Sequence, residues 1–78
     1  MTAEQQQQVY EIIADVSGFD MTDIAESDTL AGELELDSLD LVNLGKEIEG
    51  RLSVEIPDSA VSASMTVRQL VEAIDKLL

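Results

Sequence analysis

The chain has 78 residues, 45% of them apolar, yet only one Tyr and one Phe, so any core has to be built from aliphatic side chains. Four basic residues against 17 acidic ones leave a net charge of −13; such a surface repels nucleic acid and anionic lipid and steers the protein toward basic patches on other proteins. With no Cys and no His, a disulfide framework, a thiolate metal site and the commonest general base are all excluded.

A chain this short makes one domain, residues 1–78, with a marginal core. It begins "MTAEQQQQVY", which lacks the basic and apolar regions of a signal peptide. No stretch approaches the roughly 20 apolar residues of a membrane span. A cytoplasmic, soluble monomer is the expectation.

Thr2 followed by Gln5 reads as a capping box. Val9, Ile12, Ile13 and Val16 then follow at helical spacing, and Gly18 supplies a stop. Residues 18–36 form a long connection in which Phe19, Ile24, Leu30, Leu34 and Leu36 recur as apolar anchors, so this loop is expected to pack across the end of the bundle. A second helix is predicted from about Asp37 to Leu52, with Leu41, Leu44, Ile48 and Leu52 on one face and Pro57 beyond its end. "PDSAV" at 57–61 has room for only a short helical turn. A last helix begins near Thr66 and carries Val67, Leu70, Val71, Ile74 and Leu77. The expected fold is therefore all-α: a small asymmetric four-helix bundle of three main helices and one short one, with a long loop after the first.

Of the seven serines, only Ser38 stands between acids at the head of a leucine-rich run, "LELDSLDL". Two readings compete. In the first, Asp37 or Ser38 simply caps the helix. In the second, the hydroxyl is an attachment point at a helix N-terminus, where free N–H groups and the macrodipole favour a phosphate ester. Asp37 and Asp40 would then supply negative charge beside it for a metal-assisted transfer. Hydrolysis by Ser38 is not expected, because no base is present to activate it. "DMTDIAESDTLAGE" lacks the ligand alternation and central glycine of a calcium-binding loop.

"ELELDSLDLVNL", then "VEIPD", then "TVRQLVEAI" together resemble the acyl carrier protein family over nearly the whole chain, from about Val9 to Leu77. The resemblance implies a carrier with no catalysis of its own. Ser38 would bear 4′-phosphopantetheine, donated by coenzyme A through a phosphopantetheinyl transferase, whose thiol holds an acyl group as a thioester. Partners would be acyl-loading and acyl-using enzymes of fatty-acid, polyketide or related synthesis, carrying basic patches.

A helical wheel places Leu41, Leu44, Gly45 and Ile48 toward the interior, as candidates for an acyl pocket. It places Leu39, Val42, Lys46 and Glu49 on an exposed sector beside Asp37, Ser38 and Asp40, as candidates for partner recognition. The family often has glycine where Glu35 stands, commonly an acid at Asn43 and an apolar residue at Lys46, and usually an apolar side chain at Gly45. The changed recognition face at Asn43 and Lys46 points to a specialised rather than a housekeeping carrier. For Lys46 the alternative is a solvated lysine pairing with Glu49. For Gly45 it is close packing, with another backbone crossing the helix. A peptidyl or aminoacyl carrier, and an acidic adaptor that binds proteins through Leu39 and Val42 without a prosthetic group, are the competing functions.

Overall fold

The computed structural model describes all 78 residues, Met1–Leu78. Three α-helices make up the fold: α1 (Ala3–Ser17), α2 (Ser38–Leu52) and α3 (Val67–Leu77). The short fourth helix is a single 3₁₀ turn, Asp58–Ala60, and a second such turn, Met21–Asp23, interrupts the long loop. No helix is long and apolar enough to cross a membrane.

Each α-helix opens on a reciprocal capping box. Thr2 pairs with Gln5, Asp37 with Asp40 and Thr66 with Gln69, so two otherwise orphan N–H groups are satisfied at each start. α1 ends as expected at Gly18, whose φ of 78° is the left-handed conformation that glycine adopts without cost. α2 ends at Ser53 in the same conformation, φ 53°, well before Pro57.

The core is wholly aliphatic. Val9, Ile12 and Ile13 of α1 meet Leu44 and Ile48 of α2 and Val67, Leu70 and Ile74 of α3 in one cluster, with no polar side chain buried among them. The long loop contributes Ile24, Leu30, Leu34 and Leu36 to that cluster, and Phe19 packs half-buried against its edge. At about 1.5–3 kcal/mol for each such side chain fully withdrawn from water, the loop contributes to stability on the scale of a helix.

Backbone hydrogen bonds tie the loop to the entry of α3. Leu30 N–H donates to Met65 C=O (3.0 Å) and Ala31 N–H to Ala63 C=O (3.1 Å); in return Val67 N–H donates to Asp28 C=O (2.9 Å) and Arg68 N–H to Glu26 C=O (3.0 Å). Between them lies a single antiparallel bridge, Thr29 to Thr66. Within the loop, the Thr29 N–H and hydroxyl both donate to the Glu33 carboxylate. These bonds favour the ionised form and hold that carboxyl below the ordinary carboxylate value. Because the folded value is the lower one, this contribution is present above the ordinary value and is lost as pH falls through the folded one. Gly32 suits the same turn, since a Cβ there would sit 2.2 Å from Thr29 Oγ1 and displace the hydroxyl that accepts the Gly32 N–H at 3.1 Å.

The last bend before α2 explains one departure in the sequence. Glu35 N–H donates to Gly32 C=O (3.2 Å) and Leu36 N–H reaches back to Leu30 C=O (3.0 Å), a tight path that forces Glu35 to φ 56°. Glycine suits this position because the left-handed region costs an ordinary residue about 1–2 kcal/mol. Glu35→Gly should stabilise the protein by about 0.5–1 kcal/mol after the extra freedom of the unfolded glycine is subtracted. Urea unfolding checks this: the midpoint should rise with an unchanged slope.

Candidate functional site

Asp37 fixes the start of α2. Its Oδ1 accepts the Asp40 N–H (2.8 Å), while Asp40 Oδ2 accepts the Asp37 N–H (3.2 Å). The bland reading of the serine is thereby resolved in part: the cap is Asp37, and Ser38 is the first helical residue, exposed and relieved of capping. The Asp37 carbonyl accepts the Leu41 N–H (3.0 Å). The Ser38 and Leu39 N–H groups have no intrahelical acceptor, as at any helix start, and lie beside the Ser38 hydroxyl.

The two flanking carboxylates are therefore working groups of the helix as well as charges near the serine. No cluster of three or more acids that could hold a metal ion forms around them. A cation used in a transfer onto Ser38 would need ligands from the incoming group or from another protein, in addition to Asp37 and Asp40.

Beside Ser38 lies the largest hollow of the molecule, a cavity of about 450 Å³ between α2 and residues 56–61. One wall is α2, through Ser38, Leu41, Val42, Gly45, Lys46 and Glu49; the other is Ile56, Pro57, Asp58 and Val61. The candidate pocket residues thus divide. Leu41 and Gly45 line the cavity, whereas Leu44 and Ile48 are fully buried in the core and do not border it. The wheel placed all four together because it sees only α2. The irregular segment 56–61 faces α2 across a space along one flank of that face.

Gly45 is not a point of close backbone packing. A Cβ built there meets a single atom within 4 Å, Val61 Cγ2 at 3.9 Å, an ordinary contact. What the missing side chain does is leave room in the cavity.

The recognition candidates divide as well. Leu39 and Val42 are exposed to 67% and 49%, high values for large aliphatic residues. Lys46 is exposed at the cavity rim and forms no ion pair; the alternative pairing with Glu49 is absent, and the chain's ion pairs lie at Met1–Asp75, Arg51–Glu11 and Arg68–Glu72. Asp37 is exposed and Asp40 half-buried. Glu49 departs furthest from its expected role. It is half-buried, and its Oε2 accepts the Ile56 N–H at 2.8 Å, pinning the far wall of the cavity to α2. Sequence spacing carried no sign of this, because the partner is a backbone group seven residues away in an irregular segment.

The arrangement fits a phosphate-linked group on Ser38. An exposed hydroxyl stands at a helix N-terminus with two free N–H groups next to it, and a partly apolar cavity opens alongside for whatever the link carries. Removing the Glu49 carboxylate should loosen the far wall. In Glu49→Ala the Ile56 amide loses its acceptor, at a cost of about 1–3 kcal/mol, and should exchange with deuterium markedly faster. Glu49→Gln keeps an acceptor and should hold exchange near the parent rate.

Residues 7–74 match the phosphopantetheine attachment site family. The chain is 38% identical over 66 residues to an acyl carrier protein of Rubrobacter xylanophilus, an alignment covering 85% of this chain and 82% of that one. It is 31% identical over 80 residues to a meromycolate extension acyl carrier protein of Mycolicibacterium aurum, covering 99% and 82%. The corresponding Mycobacterium leprae protein is 32% identical over 69 residues, which span 88% of this chain and 60% of its own length.

Proposed function

The chain belongs to the acyl carrier protein family, whose members are non-catalytic bearers of phosphopantetheine, and from that premise we propose that Ser38 is the attachment residue and that the protein presents acyl thioesters to the enzymes of a specialised synthetic pathway. A carrier of this family implies a phosphopantetheinyl transferase and acyl-handling partners. The observation that carries the assignment is the placement of Ser38: the first residue of α2, exposed, with capping performed by Asp37.

When bound, the arm supplies a terminal thiol for the thioester. The chain's own part is to hold the anchor. Ser38 gives up its hydroxyl proton and forms one new bond to phosphorus as coenzyme A releases its nucleotide half. With no histidine in the chain, the base that takes the proton belongs to the transferase. The Ser38 and Leu39 N–H groups and the helix dipole then face the phosphodiester.

We assign partner docking to the N-terminal half of α2, where Leu39 and Val42 offer a small apolar contact beside Asp37 and Asp40. Support for a pathway apart from housekeeping fatty-acid synthesis comes from Asn43 and Lys46 on this surface. The named relatives are acyl carriers, which favours acyl over aminoacyl cargo. A prosthetic-group-free adaptor does not accord with the family match.

Three experiments test this reading. Incubation with coenzyme A and a broad-specificity transferase should raise the intact mass by one phosphopantetheine in the parent and by nothing in Ser38→Ala; a modified Ser38→Ala would move the site elsewhere. Val42→Asp should lower cargo transfer to the cognate enzyme at least tenfold while the melting temperature stays put. Binding in the parent should also weaken as salt screens the exposed acids beyond about 8 Å. Transfer untouched by Val42→Asp would place docking on another surface.

A further inference from the structure

The cavity beside Ser38 is lined in a way that plain hydrocarbon cargo does not use. Its lining mixes the apolar Leu41, Val42, Ile56, Pro57 and Val61 with the charged Lys46, Glu49 and Asp58, and none of the fully buried core leucines or isoleucines borders it. Its rim is charged.

Lys46 stands on that rim eight residues after Ser38, about 12 Å along the helix axis. Its ammonium has three N–H donors and no ion-pair partner in the chain. Gly45 beside it leaves the space in front of Val61 open. Two carboxylates share the lining: Glu49, one turn further along and bonded to the Ile56 N–H, and Asp58 on the facing wall.

Three kinds of cargo can be compared in this space. A saturated chain would strip water from an ammonium and two carboxylates and return no hydrogen bond. A chain ending in a carboxylate would meet one cation but two like charges. A neutral chain bearing an oxygen escapes the like-charge penalty and reduces the desolvation one, because its oxygen accepts from Lys46 and, if a hydroxyl, also donates to a carboxylate. The occupant is defined by its tether, since Ser38 itself lines the cavity.

We propose that Lys46 is a specificity residue, selecting acyl groups that bear a neutral hydroxyl or keto oxygen over saturated acyl groups of the same length. This inference rests on Ser38 carrying the arm.

The test uses the full chain, loaded through coenzyme A analogues with octanoyl, 3-hydroxyoctanoyl, 3-oxooctanoyl and the chain-end carboxylate of equal length. All four are attached as stable amides, and thermal melts are recorded for the parent and for Lys46→Met, which keeps the length and loses the charge. In the parent, the hydroxy and oxo forms should melt about 4 °C above the octanoyl form. Lys46→Met should erase that gap while its unloaded form melts with the parent. An octanoyl or carboxylate form that is stabilised as much as the oxygenated ones overturns the proposal, as does a gap that survives in Lys46→Met. Failure to load Ser38 at all would overturn the attachment assignment and this inference with it. Loading that succeeds with equal melts overturns this inference alone.

Discussion

Four backbone hydrogen bonds between residues 26–31 and 63–68 hold the rest of the structure in place. Without them the N–H groups of Leu30, Ala31, Val67 and Arg68 would lose their acceptors, and the connection between α1 and α2 its tie to the entry of α3. With them it becomes a rigid cover. Leu30 is fully buried, Leu34 and Leu36 follow, and the chain is delivered through the left-handed bend at Glu35 directly into the Asp37 cap. The position of Ser38 thus depends on contacts made by a loop against the entry of a different helix, far from it in sequence.

The charge of the protein is also distributed by this arrangement. No lysine or arginine precedes Lys46, so α1 and the long loop form an acidic half with no internal compensation. The basic residues begin in the middle of α2. The surface around Ser38 therefore combines exposed Leu39 and Val42 with acids already engaged in capping and a free lysine. Long-range attraction of a basic partner and short-range contact with it are separate tasks here. On the proposed docking surface the acidic half would speed encounter with a basic partner, and Leu39 and Val42 of α2 would set what is held once contact is made.

What could be read from the sequence follows from where its signals act. Helix starts were legible because caps are local: Thr2 with Gln5, and the onset near Thr66, mark their helices within one turn. The loop's burial was legible from its recurring leucines. Ser38 was recognisable from the "DSL" triplet, but its freedom from capping was not, since Asp and Ser are equally good caps and only the geometry shows Asp37 in that role. Glu35 stood out only against the family's glycine; its positive φ arises from two backbone bonds to the loop. The backbone partner of Glu49, and the open space in front of Gly45, were not legible for one reason. Their neighbours, Ile56 and Val61, lie on an irregular segment that helical periodicity does not describe.

The division of labour between Asp37 and Ser38 has a consequence for a protein that must exist in modified and unmodified forms. Had Ser38 been the cap, its hydroxyl oxygen would hold the first turn of α2, and converting it to a phosphate ester would alter that bond. A lost cap costs a helix about 0.5–2 kcal/mol, a large share of the stability of so small a chain. Here the cap bonds run between Asp37 and Asp40, and Ser38 stands inside them with its oxygen uncommitted. With the arm on Ser38, as proposed, esterification would add a group at the end of the helix dipole that favours it, without removing anything the helix uses. The same first turn can serve before and after modification, so a transferase and a later acyl-handling enzyme can meet the same surface.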